Sequence, residues 1–165
     1  MPKFSVPSTI AEFWSSYCAE VGGVDESRFY EAFYFGDSEK SANALAGLVL
    51  SGVKRATAES VWAFEAAGKR IPRPGDLSVV TDWAGKPLCV IETTRVDVMP
   101  FCDVPAEFAA VEGEGDGSLG YWQRGHAAYF SRACAKNGRT FNESMLVTCE
   151  RFDVIYPARS IKVAR

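Results

Sequence analysis

The chain has 165 residues, of which 47% are hydrophobic and 24% are charged, and this balance predicts one globular domain and excludes extended disorder. Its formal net charge of -3 excludes binding to nucleic acid through bulk positive charge, because phosphate binding draws on clustered Lys and Arg. Any nucleic-acid site must therefore be a local basic patch.

The first predicted element is an amphipathic helix near the N-terminus. It starts at Thr9, where Thr9 and Glu12 fit a capping box, and it ends at Gly22. Aromatic residues are dense over residues 29–35, after this helix. Burying a ring is a large energy term, so this cluster predicts core, with a base-stacking platform as the alternative.

A second helix is predicted over residues 38–51. Asp37 or Ser38 fits its N-cap, and Gly52 stands at its C-terminal end. A short helix over residues 60–70 follows. The polar run between these two helices therefore begins where the second helix ends.

The second half of the chain predicts a hairpin, two helices and a last strand. The hairpin pairs β-rich runs at residues 77–83 and 87–98. Residues 104–118 change from a helix to an acidic, glycine-rich loop, Ser118 caps a helix that ends at Asn137, and residues 145–157 form a strand. The lack of regular strand-helix alternation favours an α+β fold around a small, mostly antiparallel sheet or barrel.

Cysteines and the N-terminus indicate the compartment. The five cysteines are scattered and include no C-x-x-C pair, which predicts reduced, mostly buried thiols and no disulfide framework or zinc site. The N-terminus lacks a charged segment followed by a continuous apolar stretch, and no window approaches the ~18 apolar residues of a membrane span. We therefore expect a cytoplasmic protein with no membrane partner.

Two polar motifs supply complementary chemical groups. The run "SGVKRATAES" contains Gly52-x-Lys54-x-x-Thr57, and "EGEGD" places carboxylates at Glu112, Glu114 and Asp116. Alone, the acidic run is typical of a solvated loop, and Lys54 is typical of an exposed lysine near a helix C-terminus. Together they supply the amine, hydroxyl and carboxylate of an acid-base pocket.

At this point the sequence resembles a known family. The runs "FYFGDSEKSANALAGLVLSGVKRATAES", "RPGDLSVVTDWAGKPLCVIETTRV" and "AEFAAVEGEGDGSLGYWQRGHAAYF" are similar to the ASCH domain, whose members are β-barrel relatives of the PUA RNA-binding domain. The resemblance covers about residues 29–156. It implies an N-terminal helical extension over residues 1–28 and an ASCH domain over residues 29–165, with a PUA-like β-barrel flanked by helices.

The resemblance implies a cleft for single-stranded RNA or a modified nucleoside, and two activities. The first, which we expect, is cleavage of single-stranded RNA: Lys54 would stabilise the phosphate charge, while Glu112, Glu114 and Asp116 would hold Mg²⁺ or Mn²⁺. The alternative is hydrolysis of the acetyl amide of acetylcytidine, in which Lys54, with a pKa lowered by burial, would activate Thr57 and a glutamate would carry the proton. Glu112 and Glu114 both fit that glutamate, and we prefer Glu114.

Further residues near the motifs are candidates for substrate binding, and the third hypothesis is an RNA-binding module without chemistry. Basic residues are clustered near Lys54, and Trp62 or Trp83 could stack on a base. The expected binding residues are Gly52, Arg55, Trp62, Arg73 and Asp116. His126, the only histidine, has no Ser or Cys partner at a recognisable spacing and is expected to be structural.

Overall fold

The computed structural model describes residues 5–157, so the first four residues and the predicted end of the domain at residues 158–165 lie outside it. The helices are α1 (Ala11–Val21), α2 (Glu39–Leu50), α3 (Val61–Ala66), α4 (Ala106–Glu112) and α5 (Leu119–Lys136). The strands are β1 (Phe29–Phe33), β2 (Ala56–Ser60), β3 (Leu77–Thr81), β4 (Pro87–Pro100) and β5 (Leu146–Tyr156).

The five strands form one mixed sheet in the order β1-β3-β4-β5-β2. Strand β1 pairs with β3 in parallel, and the other neighbours are antiparallel, including the predicted β3–β4 hairpin. The α+β class and the mostly antiparallel sheet are confirmed. The barrel is not confirmed, because β1 and β2 are the edges of an open sheet in the described part of the chain.

Helix caps explain where two of the helices begin. The Ser38 hydroxyl accepts the backbone N–H of Ser41 at 3.2 Å, and the Ser118 hydroxyl accepts that of Tyr121 at 3.1 Å. Both predicted serine caps are therefore confirmed. The capping box at Thr9 is wrong, because a 3-10 turn over Ser8–Ile10 precedes α1 and no side chain caps its first N–H groups.

The helices cover the sheet with three apolar clusters. Helix α1 packs Trp14 and Tyr17 against a group that contains Leu77 and Val79, and α2 packs Val49 against a group that contains Phe152. The third cluster joins α4 and α5 to β2 and β5. Its buried members include Phe108, Trp122, Phe130 and Val147.

The aromatic run at residues 29–35 belongs largely to this core. Phe29, Tyr30 and Phe35 are buried, which confirms the core prediction for them, whereas the Tyr34 residue is 43% exposed. Tyr34 packs on the partly exposed Trp83, with ring centroids 4.7 Å apart. The edge of the aromatic cluster thus reaches the surface.

The cysteines agree with the sequence prediction. All five are free thiols, and three of them, Cys89, Cys134 and Cys149, are buried. Across residues 5–157, none of the helices combines the length and the apolar character needed to cross a bilayer.

Candidate functional site

The C-terminal end of α2 turns the chain so that Lys54 points into the protein. Gly52 has φ 83°, a conformation that L side chains rarely adopt, and the N–H groups of Val53 and Lys54 both donate to the Leu48 carbonyl. Strand β2 begins two residues later, at Ala56. Lys54 is only 1% exposed, so it lies inside the protein and is not the exposed lysine that its position after a helix would suggest when taken alone.

The Lys54 ammonium group uses its three N–H donors inside the protein. Nζ donates to the Ala56 carbonyl at 2.8 Å, to Glu112 Oε2 at 2.9 Å and to Glu114 Oε2 at 2.9 Å. It also lies 5.0 Å from the centre of the Phe35 ring. A buried cation is thereby paired with two carboxylates and a carbonyl, as its burial requires.

Glycines close the acidic loop onto this lysine. Gly113, which follows α4, has φ 70°, and a Cβ atom there would lie 2.3 Å from the Val53 carbonyl oxygen. A Cβ atom at Gly115 would lie 2.4 Å from the Tyr121 ring. The backbone N–H of Arg55 donates to the Val111 carbonyl at 3.0 Å and joins the two segments. The alternation of glutamate and glycine is therefore a packing requirement, and Glu112 is buried although the acidic run taken alone is typical of a solvated loop.

Glu112 is the centre of the cluster. Glu112 is 1% exposed. Its Oε2 atom accepts a hydrogen bond from Lys54 Nζ and lies 3.2 Å from His126 Nε2. The indole N–H of Trp122 donates to the other oxygen, Oε1, at 2.6 Å. Both carboxylate oxygens are thus held by donors from the segment before β2 and from α5.

The hydrogen bonds of His126 indicate that it is an imidazolium. Nδ1 lies 3.0 Å from the Trp122 carbonyl, which can only accept, so Nδ1 carries a proton. Nε2 faces the Glu112 carboxylate and also donates when Glu112 is ionised. Burial lowers the pKa of His126, but the Glu112 carboxylate outweighs burial and raises it above its ordinary value.

The surroundings of Glu112 and Glu114 shift the pKa values of the two glutamates in opposite directions. Burial raises the pKa of Glu112, but the Lys54 and His126 cations outweigh it and hold that pKa well below its ordinary value. Burial also raises the pKa of Glu114, and a hydrogen bond shared with Glu112 raises it further. Glu114 is therefore the first of the two to take up a proton as pH falls, and its side chain is 20% exposed where that of Glu112 is 1% exposed.

The charge state of Lys54 differs from the expectation for a base. Burial lowers its pKa, but the carboxylates of Glu112 and Glu114 outweigh burial, so the pKa lies above its ordinary value. A lysine that stays protonated cannot accept a proton. The expected lowering of the Lys54 pKa is therefore wrong, and these contacts favour a cation over a base at Lys54.

The cluster does not fit the expected Mg²⁺ or Mn²⁺ ion. Ligand atoms of Glu112, Glu114 and His126 lie within 4.8 Å of one another, but the Lys54 ammonium already lies 2.9 Å from both carboxylates, in the place of a cation. Both Glu112 oxygens and both His126 nitrogens are engaged as described above. Asp116 is exposed, accepts the Ser118 backbone N–H at 2.9 Å, and is not brought to this group.

A cavity of about 490 Å³ opens beside the cluster. Its wall includes Lys54, Thr57, Glu112 and Glu114, so the structure brings these four predicted residues together. Thr57 enters from β2, and α5 contributes His126 along with Tyr121 and Tyr129. Rings from the end of β1 and the segment after it also line the wall. They are Phe33, Tyr34 and Phe35.

A second group of carboxyls lines the same cavity. Glu31 pairs with Lys69, Glu59 Oε2 accepts the Tyr129 hydroxyl at 3.3 Å, and Glu150 Oε2 accepts the Thr93 hydroxyl at 2.7 Å. Burial raises the pKa of all three glutamates, and for Glu150 it does so to about 7. Carboxyls with high proton affinity thus line the cavity beyond the Lys54 cluster.

The five expected binding residues do not line this cavity. Gly52 shapes the turn after α2, the exposed Arg55 lies 3.6 Å from Asp153, and the exposed Arg73 donates its backbone N–H to Asp76. Trp62 is covered by the Arg139 guanidinium, 4.6 Å from its ring centre. Asp116, as noted, faces solvent.

Sequence reasoning missed His126, Glu59 and Glu150 as members of the site. Glu59 follows Thr57 by two residues on β2, and residues two apart on a strand share a face, which was a usable signal. An acidic residue inside the apolar run of β5 was a signal for Glu150. His126 had none, because its partner Glu112 lies in a different element.

Comparison with known proteins agrees with this architecture. The ASCH domain family model matches residues 31–156. The crystal structure of an ASCH domain from Lactobacillus crispatus JV V101 has 39% sequence identity and a TM-score of 0.82, covering 93% of this chain and 98% of that one. The crystal structure of protein EF3133 from Enterococcus faecalis V583 has 30% identity and a TM-score of 0.79, covering 89% of this chain and 88% of that one. No curated protein matches the chain. By the extent of the family match and these identities, the chain belongs to the ASCH domain family, which is linked to interaction with RNA.

Proposed function

We propose that this protein hydrolyses the acetyl amide of acetylcytidine in the cavity beside Lys54. The observation that carries the proposal is the closed cluster of Lys54, Glu112 and Glu114, which shares one cavity with the Thr57 hydroxyl. The cavity volume of about 490 Å³ is in the range of small-molecule sites, and its aromatic rings suit the stacking of a base.

The ribonuclease hypothesis has less support from the charges. Arg55 pairs with Asp153, Lys69 with Glu31 and Arg70 with Asp76, so the basic patch expected to follow a phosphate backbone is balanced by acids. The cavity wall itself is rich in acidic residues, which repel phosphate. The acidic residues in the wall are Glu31, Asp37, Glu59, Glu112, Glu114 and Glu150, and the basic ones are Lys54, Lys69, Arg132 and the His126 imidazolium.

Each group of the cluster has a role in amide hydrolysis. Thr57 Oγ1 attacks the acetyl carbonyl as its hydroxyl proton passes to a basic group of the cavity, and the bond between the carbonyl carbon and N4 breaks as Glu114 gives its proton to N4. Cytidine leaves, and the acetyl group stays on Thr57 as an ester. Lys54 and Glu112 hold the Glu114 carboxyl in position. The positive charge of Lys54 also stabilises the negative charge that develops beside it during the reaction.

Water completes the reaction. The Glu114 carboxylate takes a proton from water, and the hydroxide attacks the ester carbonyl. The bond to Thr57 Oγ1 breaks, the threonine oxygen recovers a proton, and acetic acid leaves. Glu114 is then protonated again and the cycle is closed.

The test is release of cytidine from acetylcytidine, followed by liquid chromatography. Glu114→Gln is expected to lower kcat by about 100-fold or more, the usual contribution of a proton-transfer group. Thr57→Val removes the nucleophile and is expected to abolish turnover. Asp116→Asn changes a carboxylate of the same loop outside the cavity and serves as the matched control with wild-type turnover.

In a parallel assay, the protein is incubated with single-stranded RNA in the presence of Mn²⁺ or of EDTA. Cleavage of RNA that requires Mn²⁺ and Glu114, without deacetylation, would replace the proposal with the ribonuclease hypothesis. Binding of RNA without turnover of either substrate would favour the binding module.

A further inference from the structure

We infer that Glu150 is a further catalytic residue, the group that takes the proton from the Thr57 hydroxyl. The inference rests on the proposed role of Thr57 as a nucleophile in this cavity. A threonine hydroxyl is a weak nucleophile and needs an adjacent base. Lys54, the expected base, is a fixed cation whose three donors are used.

The strand register places Glu150 beside Thr57. The two residues are direct partners in the antiparallel pairing of β2 with β5. Partners of this kind have their side chains on one face of the sheet, with Cβ atoms about 4.5–5.5 Å apart. Both side chains line the cavity, so the carboxyl and the hydroxyl share one compartment.

The other acidic groups of the cavity wall are committed elsewhere. Glu31 pairs with Lys69, Asp37 binds Arg132 through both oxygens, and Glu112 accepts from Lys54, His126 and Trp122. Glu59 accepts the Ser60 backbone N–H at 2.9 Å and the Tyr129 hydroxyl at 3.3 Å. Glu114 carries the proton for the leaving group, which leaves Glu150 for the base.

The surroundings of Glu150 give it the proton affinity of a base that works near neutral pH. Its Oε2 atom is held by the hydroxyl of the buried Thr93 on β4, and we assign the proton transfer to Oε1. Burial raises the pKa of Glu150 to about 7, and the nearby charges of Glu31 and Asp76 add to it, while Thr93 and Lys69 oppose the rise. Tyr30 shares this environment: burial raises the pKa of its phenol, and the charges of Glu31 and Glu150 raise it further.

Glu150 takes up and later returns the same number of protons in the proposed reaction. As the Thr57 Oγ1 bond to the acetyl carbon forms, the hydroxyl proton moves to Glu150. When water later displaces the ester, Thr57 Oγ1 takes that proton back from Glu150, and acetic acid leaves. The carboxylate is regenerated without any further reactant.

Acetylation by p-nitrophenyl acetate tests this role without acetylcytidine. The acetyl group moves to Thr57 and p-nitrophenolate leaves, and mass spectrometry of proteolytic peptides measures the labelling rate at Thr57 across pH. In the wild type, that rate is expected to rise with pH with a midpoint of about 7, because only ionised Glu150 accepts a proton. Glu150→Gln is expected to lower it by about 100-fold or more and to remove the midpoint.

Two variants separate catalysis from structure. Asp116→Asn changes a carboxyl outside the cavity and is expected to keep the midpoint. Thr93→Val removes a hydrogen bond that lowers the pKa of Glu150, so the midpoint is expected to move to higher pH. Circular dichroism checks that each variant is folded.

The outcomes for Glu150 and for the proposed function are distinct. Labelling of Thr57 at the wild-type rate and midpoint in Glu150→Gln would overturn the role of Glu150, as would a wild-type Thr57 that is not labelled. Labelling that depends on Glu150, without hydrolysis of acetylcytidine, would leave the base in place and refute acetylcytidine as the substrate.

Discussion

Replacement of Lys54 by Met tests the cluster on which the proposals depend. The substitution keeps the length of the side chain and removes the cation from Ala56 O, Glu112 and Glu114, each within 2.9 Å of Nζ. Removing one partner of a buried ion pair costs about 3–5 kcal/mol, because the other charge is left buried. At about 2–4 °C per kcal/mol for a chain of this size, the melting temperature is expected to fall by about 6–20 °C.

Urea unfolding followed by tryptophan fluorescence measures the cost. Near pH 7 the full loss of about 3–5 kcal/mol is expected. Lys54 and His126 lower the pKa of Glu112 in the folded protein, so its ionised form stabilises the fold above the unfolded pKa, and that stability is lost as pH falls through the folded value. The difference between wild type and Lys54→Met should therefore narrow in acid.

The double variant Lys54→Met, Glu112→Gln is the control. With the carboxylate neutralised, it is expected to be less destabilised than the sum of the two single variants, by more than about 1 kcal/mol. The reasoning is refuted if Lys54→Met costs less than about 1 kcal/mol near neutral pH, or if the single costs add.

Three other predictions follow from neighbouring groups. The single histidine, His126, is expected to show both ring nitrogens protonated near pH 7 in ¹⁵N NMR, and a neutral tautomer there would contradict the assigned hydrogen bonds. Gly113→Ala places a Cβ atom 2.3 Å from the Val53 carbonyl oxygen, whereas Gly117→Ala, at a similar positive φ, meets nothing within 4 Å. In thermal unfolding, Gly113→Ala should therefore cost at least about 2 kcal/mol more than Gly117→Ala, and equal costs would mean that the loop does not close on Val53. Because burial raises the pKa of Glu150 from 4.5 to about 7, ionisation destabilises the fold as pH rises through that interval. Glu150→Gln should therefore be more stable than the wild type by about 3 kcal/mol near pH 8 in urea unfolding, and no gain there would contradict the burial of the charge.

Local signals predicted the elements that carry their own start and stop residues. Ser38 and Ser118 cap helices because a serine hydroxyl satisfies a free backbone N–H wherever the chain folds, so the sequence suffices. The parallel pairing of β1 with β3 joins residues such as Phe29 and Leu77, which lie far apart in the chain. Periodicity carries no information on such a pairing, and the closed barrel expected from the resemblance was not confirmed for the same reason.

The resemblance predicted which residues form the candidate site. It did not predict their charge states, because these depend on burial. Lys54, Thr57, Glu112 and Glu114 share one cavity as expected. The sequence could not show that two carboxylates keep Lys54 protonated, because the pKa of a buried group depends on partners that only the fold brings close. A lysine near a glutamate in space is a cation, and the same lysine alone in an apolar pocket would be a base.

The charges around the cavity give its glutamates different proton affinities. At one end, the Lys54 and His126 cations lower the pKa of Glu112, so Glu114, the glutamate with the more exposed side chain, is the first of the pair to take up a proton. At Glu150 the opposing cation, Lys69, is already paired with Glu31, and burial raises the pKa to about 7. Titratable groups whose surroundings push their pKa values apart are those that divide acid and base roles. In the proposed mechanism, Glu114 and Glu150 are the proton donor and the proton acceptor that share one cavity with Thr57, as transfer of an acyl group from nitrogen to oxygen requires.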